Sequence, residues 1–450
     1  MRFTVFDRKI LKYLKKWKNR KNRKPLVLRG ARQVGKTSAV LMFGEQFFDD
    51  IVNINLERMD HKNWFSSDLS LKEFIQIVKI KFGKEIIQGK TLLFIDEIQN
   101  SPSLISLMRF FYEDMPELHV IVAGSLLEAK IETEGISFPV GRVEFAYMYP
   151  LDFFEFLEAT EDKNSLEFLK KFGFNEKLSE VLHDDFLKKF YEYTMIGGMP
   201  EVVAAYIKGK NINDLKIVYN SLFSSYCEDV FKYANLANAK YLSFVIDNAP
   251  LFAGTLIKYE KFAGSVFRSR EINKAFMTLE KVMILTQAQA TSSINLPLVQ
   301  QSKRPKKILF LDVGLVNYRM DILNEFYDMK DLNSFYRGRI AEQVVGQGLI
   351  SLKDDEKLNL VYWAKNKSQG SAELDWCFSY QGKIIGIEVK SGAEGKMRSM
   401  IQFAKSVEKR VLVRFYSGKL RRDELVSNGE KYRLLSIPFY LLPRLFDLIT

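Results

Sequence analysis

The octet Gly30-Ala31-Arg32-Gln33-Val34-Gly35-Lys36-Thr37 constrains this chain more than any other stretch. It fits GxxxxGK[ST] at every fixed position. Its surroundings agree with it. Leu26-Val-Leu28 reads as a short buried strand, and residues 38–48 read as a helix. In such a strand–turn–helix, glycines let backbone N–H groups face dense negative charge, and the helix N-terminus adds its positive end. The pattern implies a bound triphosphate cradled by residues 30–38, Ser38 included. Lys36 would reach the β- and γ-phosphates, and the Thr37 hydroxyl would face Mg²⁺.

A second stretch supports this reading. Thr91-Leu-Leu-Phe-Ile-Asp96-Glu97 is an apolar run ending in two carboxylates. Runs of this kind are buried on both faces as central parallel strands. Asp96 would hold the Mg²⁺ shell, and Glu97 would polarise the attacking water. Guanine-reading proteins need Asn-Lys-x-Asp. Asn273-Lys274 leads into Ala-Phe and Asn366-Lys367 into Ser-Gln, so ATP is the expected nucleotide.

At 450 residues the chain is long enough for two to four domains. No apolar run approaches the ~18 residues of a membrane span, and the charged start lacks the apolar segment of a signal peptide. Cys227 and Cys377 are the only cysteines, and His61, His119 and His183 are scattered. A disulfide framework and a histidine zinc site are therefore not expected, and a cytoplasmic location is. Net charge is +12, of which residues 1–25 carry +10, with eleven Lys or Arg against one Asp. Phe3, Phe6, Ile10, Leu14 and Trp17 recur at helical spacing, so this segment reads as a basic amphipathic helix ended by Pro25. Docking on the core with its lysines in solvent is the favoured reading. Contact with nucleic acid phosphates or with an anionic membrane surface are the alternatives.

Strand-like segments fall at Leu26–Leu28, Ile51–Leu56, Thr91–Ile95, His119–Ala123 and Val143–Met148. Helical patterns such as Leu71–Phe82 and Ser103–Tyr112 separate most of them. Alternation of this kind predicts a parallel sheet covered on both faces, with its ligand at the carboxyl ends of the strands.

Beyond these motifs, the chain resembles the AAA+ superfamily. Val120-Ile-Val-Ala-Gly124-Ser125 looks like the strand that carries its polar sensor, with Ser125 in that role. Pro139-Val-Gly141-Arg142 and Tyr149-Pro150-Leu-Asp-Phe-Phe-Glu-Phe-Leu157 follow. With the octet they resemble a group of bacterial and archaeal AAA+ ATPases whose C-terminal domain has no known function. Ile196-Gly-Gly-Met-Pro-Glu201 resembles that group's Gly-Gly-aromatic-Pro signature, with Met199 for the aromatic. The resemblance implies that Arg142 is an arginine finger approaching a γ-phosphate of its own or a neighbouring subunit. A salt bridge with Glu144 or another acid is the plainer reading of Arg142.

Residues 152–235 look all-helical, as a lid should, and the carboxylates of Tyr226-Cys-Glu-Asp-Val230 read as surface or packing groups. Residues 240–300 resemble a winged helix, a DNA reader or a packing module. In it, Ser269-Arg270 would cap a helix over Glu271–Lys281, residues 284–287 would form the wing, and Lys303-Arg304-Pro305-Lys306-Lys307 would flank it. Lys307-Ile-Leu-Phe-Leu-Asp312-Val-Gly-Leu315 reads as a strand and turn into the last domain, with Asp312 structural.

The C-terminal region holds a second constellation. Glu342 lies on an apolar-faced helix and Asp375 on a strand, while Glu388 and Lys390 share one face of the next strand, across a turn at Gln381-Gly382. This order resembles restriction-endonuclease-like nucleases of the PD-(D/E)xK type, with Leu374 for the proline. The resemblance implies Asp375 and Glu388 as metal ligands, Glu342 as their helper and Lys390 as the steadying cation. Lys365 and Lys367 would meet phosphates or sit as ordinary surface charges.

The expected architecture is thus α/β. A basic helix occupies 1–24, a P-loop AAA+ core with a parallel sheet 25–150, a helical lid 151–238, a winged-helix module 239–305 and a restriction-endonuclease-like domain 306–450. ATP and Mg²⁺ are the expected cofactors. DNA or RNA and a second copy of the chain are candidate partners. The expected activity is ATP hydrolysis coupled to action on nucleic acid, against the alternative of an ATP-driven switch or adaptor.

Overall fold

A computed structural model of the chain describes residues 6–65, 68–125, 127, 138–139, 141–209, 211–233, 236–326, 338–366, 372–390 and 397–450. Phe3, Val140 and Lys367 lie outside the described residues. The first unit runs α1 (Ile10–Lys18), β1 (Leu26–Arg29), α2 (Lys36–Phe47), β2 (Asp50–Asn55), α3 (Met59–Trp64), α4 (Leu71–Ile77), β3 (Thr91–Asp96), α5 (Pro102–Asp114), β4 (His119–Ala123) and β5 (Glu144–Tyr147). The strands form one parallel sheet in the order β2-β3-β4-β1-β5. Every residue of β3 and β4 is buried. Strand alternation divides them between two cores. Leu26, Leu28, Leu92, Phe94, Ile121 and Ala123 face one, and Val27, Leu93, Ile95, Val120 and Val122 face the other.

Among its described residues the basic segment is helical over Ile10–Lys18, and Phe6 precedes that helix. Ile10, Leu11, Leu14 and Trp17 are buried in the same core as β1 and α2. Lys15, Lys16 and Lys18 gather at the C-terminal turn, where the helix dipole favours cations. The helix expected over 71–82 is α-helical only to Ile77, with a π-turn over Val78–Phe82.

Next come α6 (Phe153–Ala159), α7 (Lys163–Lys171), α8 (Glu180–Ile196), α9 (Pro200–Gly209), α10 (Ile212–Tyr233) and α11 (Leu236–Asn248). Asp152 starts α6 with a capping box: its Oδ1 accepts from the N–H groups of Phe154 and Glu155, both at 3.0 Å, and Glu155 Oε2 accepts from the Asp152 N–H.

β6 (Leu256–Ile257), α12 (Ser269–Lys281) and β7 (Leu285–Ala288) follow, then the short β8 (Ala290–Thr291) and β9 (Gln300–Gln301), then β10 (Lys306–Phe310). Two assignments differ here from the sequence expectation. β10 does not open the last domain; it pairs antiparallel with both β6 and β7 and completes a small three-stranded sheet. The segment expected as the wing, residues 284–287, lies mostly in β7 and pairs with β10, while the β8–β9 hairpin extends the C-terminal sheet through a parallel β8–β11 pair. Short apolar strands declare that they pair, not with whom. At α12 the cap position is Arg268 rather than Ser269, and Glu271 accepts from the Arg268 N–H at 3.1 Å.

The rest comprises α13 (Val313–Arg319), α14 (Arg339–Ile350), β11 (Val361–Ala364), β12 (Glu373–Tyr380), β13 (Lys383–Val389), α15 (Arg398–Ser406), β14 (Arg410–Tyr416), β15 (Arg421–Ser427), β16 (Glu430–Pro438) and α16 (Leu445–Ile449). The large sheet has the order β15-β16-β14-β13-β12-β11-β8-β9. The β12–β13 turn is Gln381 (φ 46°) and Gly382 (φ 71°), the left-handed pair a two-residue hairpin requires. One buried cluster runs from Phe6 through α6–α11 to Leu445, so these parts of the chain share a core.

At the junction stands Asp312, fully buried. Its carboxylate accepts from the N–H groups of Gly198 (2.7 Å) and Gly314 (2.9 Å) and from Gln347 Nε2 (3.2 Å). A Cβ at Gly197 would collide with Asp312, one at Gly198 with the Leu151 carbonyl, and one at Gly314 with the Ile196 carbonyl. The Gly-Gly signature thus packs backbone directly onto this carboxylate.

Candidate functional site

β1 delivers the chain to Gly30, whose missing Cβ makes room for the Met148 carbonyl. Gln33 (φ 64°) and Gly35 (φ 95°) both take left-handed conformations, which turn the loop's N–H groups inward. α2 then begins at Lys36 with no side-chain cap, so its first-turn donors remain for an anion. Lys36 Nζ donates to the carbonyls of Gly30 (2.9 Å) and Ala31 (2.8 Å). Burial lowers this ammonium from its ordinary value, with Glu97 and Asp96 opposing the shift. Ala31 and Val34 are buried beneath the loop, and Ser38 follows in the first turn of α2.

Asp96 ends β3 facing α2. Its Oδ2 accepts from Thr37 Oγ1 at 2.7 Å, and its Oδ1 accepts from the Glu97 N–H at 3.1 Å. A hydroxyl and a carboxylate in contact at the loop are hard oxygen donors, so this pair fits Mg²⁺. Glu97 has a left-handed backbone (φ 54°), which swings its side chain back toward the loop. Burial raises both carboxyls above their ordinary values, and Lys36 opposes the shift in each. Ser125 is buried just past the end of β4, between β3 and β1.

Several side chains of this site escaped the sequence reading. Gln99 Nε2 donates to Glu97 Oε2, and a Cβ at Gly124 would strike the Gln99 amide. The glycine before Ser125 therefore serves the glutamate as well as the turn. Arg32, inside the octet, is ion-paired with Glu57 (3.3 Å) and with Asp229 of α10. Gln33 Nε2 also donates to Ser225 Oγ at 3.3 Å. Asp229 is buried and holds the loop, which corrects the expectation of a surface or packing group. Arg8 is buried too. It donates to Glu155 Oε1 (2.8 Å), the Val34 carbonyl (2.8 Å) and the Tyr149 carbonyl (2.6 Å). Arg8 looked like one basic residue among eleven, so its sequence context carried no signal.

Arg142 stands apart. β5 runs parallel to β1 with Glu144 opposite Leu26 and Tyr147 opposite Arg29. Arg142 therefore precedes the N-terminal end of the strand, whereas the octet follows the other end, roughly 13 Å away at ~3.3 Å per residue. It is solvent-facing and its Nε donates to Glu113 Oε1 at 2.8 Å. The expectation that it reaches the γ-phosphate of its own subunit is corrected by this strand direction.

In the C-terminal sheet, Glu342 projects from α14, Asp375 from β12 and Glu388 from β13. Asp375 Oδ2 accepts from the Val389 N–H at 2.7 Å, and Lys390 Nζ meets Glu388 Oε1 at 2.6 Å. At their centre is a residue the sequence reading placed elsewhere, Lys307 of β10. Its Nζ lies 2.7 Å from Glu342 Oε2, 3.6 Å from Asp375 Oδ1 and 3.8 Å from Glu373 Oε1, with its side chain only 3% exposed. It also lies 5.0 Å from the Trp376 ring centre. Burial and the Asp375 charge push Glu342 and Glu388 each up to about 7. For Lys307, burial works downward, but Glu342 and Asp375 raise it above the ordinary ammonium value. Among the described residues, no group of three or more His, Cys, Asp or Glu is placed to hold a metal ion. With an ammonium among the acids, Asp375 and Glu388 do not fit the divalent ion expected of them. Nearby, Lys365 Nζ donates to Gln402 at 3.1 Å and Arg304 to the Lys365 carbonyl at 2.8 Å.

Comparison with known proteins adds three family matches. Residues 22–157 match an AAA domain, residues 187–325 a domain of unknown function (DUF8612) and residues 337–438 another (DUF4143). No curated protein matches the chain. Solved structures similar to it include the Walker-type ATPase PABY2304 of Pyrococcus abyssi. That protein is 15% identical with a TM-score of 0.45, over 70% of this chain and 96% of that one. The Holliday junction branch migration motor RuvB of Thermotoga maritima is 14% identical with a TM-score of 0.28, over 63% and 90%. The Orc1 protein of Aeropyrum pernix, solved in complex with DNA, is 10% identical with a TM-score of 0.30, over 69% and 90%. The AAA match encloses the octet, Asp96, Glu97 and Ser125. No described helix is long and apolar enough to cross a membrane.

Proposed function

We propose that this chain binds and hydrolyses MgATP at the AAA-type site and couples hydrolysis to action on nucleic acid by its C-terminal sheet. The observation that carries the first half is the contact of Thr37 Oγ1 with Asp96 Oδ2 at 2.7 Å, beside a Glu97 held by Gln99. Lys36 would exchange its two loop carbonyls for phosphate oxygens. Glu97 would take the proton of the attacking water, and Ser125 would orient that water or the γ-phosphate. Bound Mg²⁺ supplies charge neutralisation at the phosphates, and Thr37 and Asp96 would hold it. Asp229 and Ser225 would carry the state of the loop into α10 and the lid.

A second reading for the C-terminal half is favoured by the Lys307 ammonium within the acid cluster. There the ATP state sets a conformation, and the C-terminal domain binds a partner without cutting. The test is the ATPase rate with and without DNA or RNA, alongside assays for cleavage, repeated in Glu97→Gln and Asp375→Ala. Nucleic-acid-stimulated turnover with cleavage lost only in Asp375→Ala supports coupling. Turnover indifferent to nucleic acid, with no cleavage, supports the switch.

A further inference from the structure

We infer that Lys307 is the resident cation of the C-terminal acid cluster, a tethered ammonium standing where a divalent ion would otherwise bind. The inference rests on reading Glu342, Asp375 and Glu388 as a cation-binding group.

Four carboxylates converge here, those of Glu342, Glu373, Asp375 and Glu388, against two ammoniums, Lys307 and Lys390. Crowded buried carboxylates repel one another and lose hydration, so they demand a cation. Lys390 is in contact with Glu388, feels Asp375 and Glu342 from farther off, and sits at the rim with its side chain 31% exposed. Lys307 answers the other three from within, in a pocket floored by Trp376 and Tyr362. Among the described residues Glu388 Oε2 is buried with no hydrogen-bond partner, so the two lysines leave that acceptor unused.

Lys307 does not belong to the sheet that holds the acids. It is the second residue of β10 in the small sheet, opposite Ala288 of β7 and Leu256 of β6. Its tether makes it an intramolecular competitor at high effective concentration, which a free ion must displace. Displacement means either drawing β10 away or burying an uncompensated ammonium beside the arriving ion. Cation capture by the acids is therefore tied to the position of the small sheet. The contact is also a latch, because it joins β10 to α14 and β12 through charge.

The test is Mn²⁺ binding by nucleotide-free full-length protein, followed by the spin-resonance signal of free Mn²⁺. Ions at the cluster are those lost on Asp375→Asn. Wild type should hold no Asp375-dependent Mn²⁺. Lys307→Met, which keeps length and apolar packing, should gain one such ion per chain, and Lys307→Arg should behave as wild type. Lys307→Gln carries the same expectation if the Met variant does not fold. Asp375-dependent Mn²⁺ in wild type would overturn the inference while leaving the cluster a cation site. No gain in either neutral variant, each shown folded by circular dichroism, would overturn both.

Discussion

Single residues hold the strongest physical claims in this molecule, and Asp312 is the first. Its two oxygens accept two backbone N–H groups and one side-chain amide, and burial pushes its carboxyl up to about 6. Relief of the charge by Asp312→Asn should nonetheless destabilise the protein. An amide presents one donor where both oxygens must accept, so the N–H of Gly198 or Gly314 is left facing another donor. The expected loss is about 1–3 kcal/mol, the usual cost of an unsatisfied buried group, read from urea unfolding. Glu342 and Glu388 give a pH signature. Their folded values of about 7 exceed the ordinary 4.5. The folded state therefore binds more protons than the unfolded one between those values, and stability declines as pH rises through the window. Asp375, Glu373, Lys307 and Lys390 face the same pair, and Glu388→Gln should flatten the decline. Unfolding midpoints measured across that range check it.

At the scale of elements, the strands of the first sheet were legible because each is an apolar run buried on both faces. All five expected positions carry strands within two residues of where they were placed. The octet and Asp96-Glu97 were legible because backbone geometry and phosphate chemistry restrict those positions to few residue types. Partners across long separations were not legible. Asp229 and Arg32 lie 197 positions apart, and the acid of a helix end reads the same whether it meets a loop or water. Lys307 looked like the tail of a basic run, and only the pairing of β10 shows where it points. Gln99 was hidden for a related reason: no motif distinguishes it, and its place is made by a glycine just past the end of β4. Gln99→Ala should leave ATP binding intact and slow hydrolysis by up to about 100-fold, the effect of a misplaced catalytic group. Gly124→Ala should do the same by displacing the amide. Equal turnover in wild type and both variants would remove Gln99 from the site.

Taken whole, distant parts of the chain share the buried cluster that runs from Phe6 to Leu445, and polar joints cross between them. Arg8 links the loop carbonyl of Val34 to Glu155 of α6, while Lys9 reaches Asp152 at 2.9 Å and the Ser351 carbonyl. The Tyr147 N–H donates to the Asp354 carbonyl at 2.7 Å, so the edge of the first sheet also touches the C-terminal half. The octet thus lies within two side chains of α6 and of Ser351 in the C-terminal half. The claim on which all of this depends is ATP hydrolysis at that octet. Its most direct test is nucleotide affinity and turnover measured together in wild type, Lys36→Ala and Glu97→Gln. Wild type should bind and hydrolyse MgATP, and Lys36→Ala should lose binding. Glu97→Gln should retain the nucleotide with turnover reduced on the order of 100-fold or more, as when a general base is removed. Undiminished affinity in a folded Lys36→Ala protein, or wild-type turnover in Glu97→Gln, would contradict the assignment.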